Sequence, residues 1–166
     1  MSKIYVPLLG ALLSLAALCP TAYSQNVKTA PVDKTEAEHW REDLRYMAEQ
    51  MPQRHANLFH TMTRPQFEAA VRRLDERIPQ LARHQIIVEL ARIVALVGDG
   101  HTNVAPTRDP KIGFRQLPVK LYLFKDGMFV RAAERAHSEL VGARVVKIGT
   151  ATVDEAVARA GELVGR

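Results

Sequence analysis

Three apolar stripes at helical spacing, each closed by a helix breaker, constrain this chain more than any other feature. Trp40, Leu44, Met47 and Met51 fall at i, i+4, i+7 and i+11 and run into Pro52. Phe67, Val71, Leu74 and Ile78 repeat that spacing and run into Pro79. Ile86, Ile87, Leu90, Ile93, Val94 and Val97 form a broader third stripe that ends at Gly98-Asp99-Gly100. Side chains so spaced share one helix face, and a proline removes the N–H that the next turn needs. Start signals stand where they should. Thr35 with Glu38, and Thr63 with Gln66, read as capping boxes, and Pro65 suits a first turn. The spacing therefore predicts helices over about 35–51, 63–78 and 83–96, the third most deeply buried because its apolar face is widest. Residues 54–61 read as a loop carrying His55, Asn57, Leu58, Phe59 and His60.

After Gly100 the period changes from helical to alternating. Thr102–Ala105 reads as a short strand, Leu117–Phe124 and Met128–Ala132 as a pair, and Ala143–Ile148 as a further strand. Lys125-Asp126-Gly127 is the turn of a hairpin, since Asp-Gly suits positions that need a positive φ. Thr152 with Glu155 opens a last helix carrying Val153, Ala156, Val157, Ala160 and Leu163. The expected class is α+β: a three-helix unit over 35–99, then the start of a β-rich unit over 100–166. That second unit reads as unfinished, because a domain normally closes its sheet edges and covers its apolar faces.

The chain opens as an exported protein would. Lys3 precedes an apolar run from Ile4 to Leu18, and small residues stand at Ala22 and Ser24 before Gln25. That order reads as a signal peptide over 1–24, cut after Ser24, with a linker over 25–34. The run is short for a bilayer span of about 20 apolar residues, so no stable membrane insertion is expected after cleavage. Secretion or a periplasmic location follows. Lipidation at Cys19 is the weaker alternative, because bulky Leu18 precedes it. Cys19 is the only cysteine, so the mature chain has no disulfide and no thiolate metal site. Loss of Lys3 takes Lys+Arg from 23 to 22 against 18 acids, a net charge of +4. The basic residues are scattered among acids without aromatic interleaving, which excludes a nucleic-acid footprint.

The chemistry-bearing stretch is Val97-Gly98-Asp99-Gly100-His101-Thr102. Two glycines let the backbone turn sharply and leave the His101 ring unshielded at a helix-to-strand junction. An imidazole there suits a general base, since its ordinary pKa lies near working pH. The plainer reading is a helix end followed by an idle exposed histidine. His39 and His84 lie off the apolar stripes, and His137 sits in a polar turn. His55 and His60 share a loop with no carboxylate between them, which is not a zinc spacing. No phosphate loop and no Gly-x-Ser-x-Gly elbow occurs, and Ser138 is the only serine after Ser24. No metal or other cofactor is expected.

Taken together, these segments resemble serine peptidases of the C-terminal-processing (tail-specific) and tricorn-core family. The likeness runs from Trp40-x-x-Asp43-Leu44 and His55-Ala56-Asn57-Leu58-Phe59 through Phe67 and Leu74. It continues into Gly98-Asp99-Gly100-His101-Thr102, its most specific part. It then takes in Leu117-Pro118, the Asp126-Gly127 hairpin and Gly142-Ala143-Arg144-Val145-Val146-Lys147-Ile148-Gly149, a phrase shared with PDZ-like peptide-binding modules.

The resemblance implies hydrolysis of polypeptide substrates by a serine nucleophile, without cofactor. The tricorn-like branch uses a His matching His101 as general base, but places a Ser before it, where Gly100 stands here. Another branch pairs its Ser with a Lys further along, which would leave His101 without that role. The family's nucleophilic Ser and oxyanion-hole residues follow the matched region, hence beyond Arg166. The expectation is the N-terminal portion of an exported serine-type peptidase, inactive as 166 residues alone. The alternatives are an exported, non-catalytic peptide-binding module working by PDZ-like strand addition, and a decayed relative of the peptidases.

Overall fold

A computed structural model describes residues 30–108 and 112–165; the signal peptide and most of the linker expected over 1–34 lie outside them. The chain is α+β, with three helices followed by small antiparallel sheets and a fourth helix. The helices are α1 (Lys34–Arg54), α2 (Arg64–Arg77) and α3 (Arg83–Ala95). A 3-10 turn at Ile78–Gln80 follows α2.

The α1 boundaries differ from the expected ones at both ends. Asp33, not Thr35, is the N-cap, and its carboxylate accepts the Glu36 N–H at 2.9 Å. Asp ranks above Thr at that position, and it lies two residues earlier. Pro52 lies inside the last turn instead of ending the helix, which continues to Arg54. Only one intrahelical bond is forfeited, and His55 N–H still closes on Met51 O at 3.0 Å. The expected loop is therefore shorter by one residue. The Thr63–Gln66 capping box forms as the spacing requires, with both of its hydrogen bonds present.

The three stripes meet in one core. Leu44 from α1, Phe67, Ala70 and Leu74 from α2, and Ile86 and Ile93 from α3 pack with Ile78 and Val97. Trp40, Met47 and Met51 line its edge. The wider face of α3 also buries Ile87, Ala91 and Val94. Polar contacts tie the helices together: the Arg41 guanidinium donates to Asp75 O at the end of α2, and Val32 N–H to Leu81 O at 3.0 Å.

The β-rich unit is thinner. Strands β1 (Val119–Phe124), β2 (Gly127–Ala133) and β3 (Arg144–Val145) form a sheet in the order β1-β2-β3, all antiparallel. The hairpin turns where the sequence placed it, with Gly127 at φ +145°. A bulge at Lys120/Leu121 leaves Arg131 unpaired, with its guanidinium over the Tyr122 ring. Only Met128 and Val130 are buried in this sheet.

Two strand expectations fail. Thr102–Ala105 is not a strand, because its first groups bond locally: Thr102 N–H donates to Asp99 O at 3.0 Å. Ala143–Ile148 is not one strand either. It breaks at Val146, and β4 (Lys147–Ile148) pairs instead with β5 (Ala151–Thr152) across a turn at Gly149, φ +61°. The turn supplies β4 with a neighbour closer along the chain than β2. Helix α4 (Val153–Gly161) is capped by Thr152 and Glu155, yet none of its residues is fully buried.

Candidate functional site

The junction after α3 is held by a side chain from the connection between α1 and α2. The Thr61 hydroxyl lies 2.6 Å from Val97 O and 3.1 Å from Leu96 O, satisfying carbonyls that the helix end leaves free. Gly98 then turns at φ +72°, and a Cβ there would lie 2.7 Å from Thr61 Oγ1. Both demands select glycine. The consequence is positional: the loop with His55 and His60 is latched against the segment with Asp99 and His101.

Asp99 is the hub. Its Oδ1 accepts the His101 N–H at 3.0 Å and faces His101 Nδ1 at 3.1 Å. Its Oδ2 accepts the Thr102 hydroxyl at 2.9 Å and faces His55 Nε2 at 3.5 Å. The carboxyl is held far below its ordinary value of 3.8, chiefly by the His101 N–H, then by the Thr102 hydroxyl and the His101 ring. It is therefore a carboxylate at neutral pH, able only to accept. Any ring nitrogen facing it carries the proton.

In the neutral His101 ring, a proton on Nδ1, toward Asp99, leaves Nε2 as the bare nitrogen. The His101 side chain is 100% exposed, as the flanking glycines led one to expect. The hydrogen bonds of the described residues bring no hydroxyl to Nε2. His55 is the reverse: Nδ1 accepts the Asn57 N–H at 3.1 Å, which in the neutral ring leaves the proton on Nε2, 3.5 Å from Asp99 Oδ2. His60 Nδ1 lies 2.7 Å from Asn57 O, and its ring stacks over that of His55 with centroids 6.3 Å apart.

The other candidates do not join this group. Ser138 lies in the 3-10 segment Arg135–Leu140, with His137, and both belong to the β-rich unit. No group of three or more His, Cys, Asp or Glu among the described residues is arranged to hold a metal ion. No helix among them is long and apolar enough to cross a membrane. An open depression of about 710 Å³ adjoins the latch, lined by Thr61, Met62, Gln66, Leu96, Gly98 and Val164, but it includes neither His101 nor Asp99.

Compared with family models, curated proteins and solved structures, the chain matches none of them.

Reading the sequence singled out His101 and missed three partners. Asp99 carried a usable signal, since an acid two residues before a His, between glycines, can reach that residue's N–H and ring together. His55 and Thr61 carried none. Their roles depend on how the connection between α1 and α2 sits against the end of α3, and no spacing along the chain encodes that.

Proposed function

We propose that this chain is the N-terminal part of an exported serine-type peptidase, with His101 as the general base. The observation that carries this reading is the Asp99–His101 pair. A carboxylate on Nδ1 fixes the ring and leaves a bare, outward-facing Nε2, the arrangement a base needs to receive a hydroxyl proton. In the reaction, Nε2 takes the proton of a serine as its oxygen attacks the peptide carbonyl. It then returns that proton to the leaving amine. Asp99 keeps the ring oriented and stabilises the imidazolium formed between the two steps.

The serine belongs to a part of the protein outside these 166 residues. Two features favour such a part. A fully exposed base is poorly suited to catalysis, which works best where water is excluded. The β-rich unit also exposes Leu117, Leu123, Phe124 and Val146, an apolar surface suited to a covering layer.

The decisive experiment assays peptide hydrolysis by the intact protein purified from its native host, before and after His101→Ala. The expected loss in kcat/KM is on the order of a thousandfold, with unchanged melting because the ring is exposed. Undiminished hydrolysis in the variant overturns the reading.

One observation favours a second reading, a peptide-binding module without catalysis. Among the described residues strand β1 is an edge of the sheet, paired with β2 alone, and could accept an extended peptide along its other side. Peptide binding that survives His101→Ala, with hydrolysis in neither protein, would select it.

A further inference from the structure

We infer that His55 is a positioning residue for His101, acting through Asp99. The inference rests on the reading of His101 as a base and adds a second histidine to the same carboxylate.

The geometry points to this role in three ways. First, the His55 backbone is fixed: the residue caps α1, and its N–H bonds to Met51 O. Second, the ring is fixed, since Asn57 N–H occupies Nδ1 and leaves the single proton of the neutral ring on Nε2, the nitrogen 3.5 Å from Asp99 Oδ2. Third, the ring is sheltered where His101 is not, with its side chain 19% exposed against 100%. A sheltered, single-tautomer donor is suited to holding another group still.

What it holds is the torsion of the carboxylate. Asp99 Oδ1 is engaged by the backbone and ring of His101. On the other oxygen, among the described residues, the remaining donor is the Thr102 hydroxyl, which can rotate. With His55 Nε2 3.5 Å away, Oδ2 also faces a donor on a sheltered ring, which limits how the carboxylate can turn. The plane of the carboxylate sets that of the His101 ring. At 3.5 Å the His55 contact is long, as such contacts often are before substrate closes a site. His60, bonded to Asn57 O, lies parallel to the His55 ring with centroids 6.3 Å apart.

The test uses the intact protein with 15N-labelled histidine, whose ring signals report which nitrogen carries the proton. The expected result is Nε2–H for His55 and Nδ1–H for His101. A His55 protonated on Nδ1 overturns the inference without any variant being made. His55→Phe keeps the ring and removes the donor, whereas His55→Gln keeps a donor at similar reach. In the Phe variant His101 should lose its single tautomer, and kcat should fall roughly tenfold with KM unchanged, the size of one ordinary hydrogen bond. The Gln variant should restore both. A Phe variant with the His101 tautomer and kcat intact overturns the inference. If the intact protein hydrolyses no peptide, it is the peptidase reading that fails. The ring tautomers then still decide the role of His55.

Discussion

Leu44 lies on the charge-rich helix α1 and Leu123 on the almost wholly apolar strand β1, yet Leu44 is 1% exposed and Leu123 is 52% exposed. The contrast holds for the two units as wholes. Three helices surround one another and close a core from Ala37 to Val97. The three-stranded sheet buries only Met128 and Val130, and α4 buries no residue fully. On the hairpin, Tyr122 and Phe124 stand on one face with rings 4.6 Å apart, and Phe129 packs edge-on against Phe124. These aromatics shield one another instead of joining a core. Apolar content alone therefore does not make a core; a second layer must face it. The helical unit supplies its own second layer, and the β-rich unit does not.

The largest test of this contrast substitutes one leucine in each unit. Leu44→Ala leaves a cavity among α1, α2 and α3 and should cost about 2–5 kcal/mol in urea unfolding. Leu123→Ala removes a side chain already half in water and should change stability by less than about 0.5 kcal/mol. Equal losses would show that the sheet is packed as tightly as the helices, and the comparison would break.

A smaller effect is expected at the seam between the units. Gly98→Ala places a Cβ against Thr61 Oγ1 and holds a non-glycine residue at φ +72°. The strain should cost about 1–3 kcal/mol. Adding Thr61→Gly separates the two causes, because it removes every Thr61 side-chain atom from the clash and leaves the backbone strain at position 98. The double variant should therefore remain less stable than Thr61→Gly alone. If it does not, steric crowding by Thr61 is the whole effect.

How much of this was legible beforehand follows the same division. The helical stripes and the Thr63 and Thr152 caps were readable because they depend on residues within a few turns. The Asp-Gly hairpin was readable for the same reason. Helix ends were less so: Asp33 outcompeted Thr35, and Pro52 was tolerated in a last turn. The strands over 102–105 and 143–148 were misjudged where local bonds (an acid accepting from the next residues, a glycine turn) captured the backbone first. Within the candidate site, His101 stood out by its flanking glycines. His55 and Thr61 reach it only through the seating of the α1–α2 connection against the end of α3.

The smallest predicted effect concerns whether Asp99 fastens that seam through its charge. Its folded pKa lies below the ordinary Asp value of 3.8, because the His101 N–H, the Thr102 hydroxyl and the His101 ring all favour the ionised form. A depressed carboxyl stabilises the fold fully above that ordinary value. The contribution is lost as pH falls from there toward the folded pKa. Asp99→Asn keeps the shape and removes the charge. The wild type should thus melt above the variant from neutral pH down to about pH 4, and the two curves should converge in stronger acid. Because the carboxylate is partly exposed, salt and water weaken its bonds, and the gap should be smaller than either substitution effect above. A gap that instead widens toward acid would mean that protonated Asp99 is the form the fold prefers. The orientation of His101 would then need another cause.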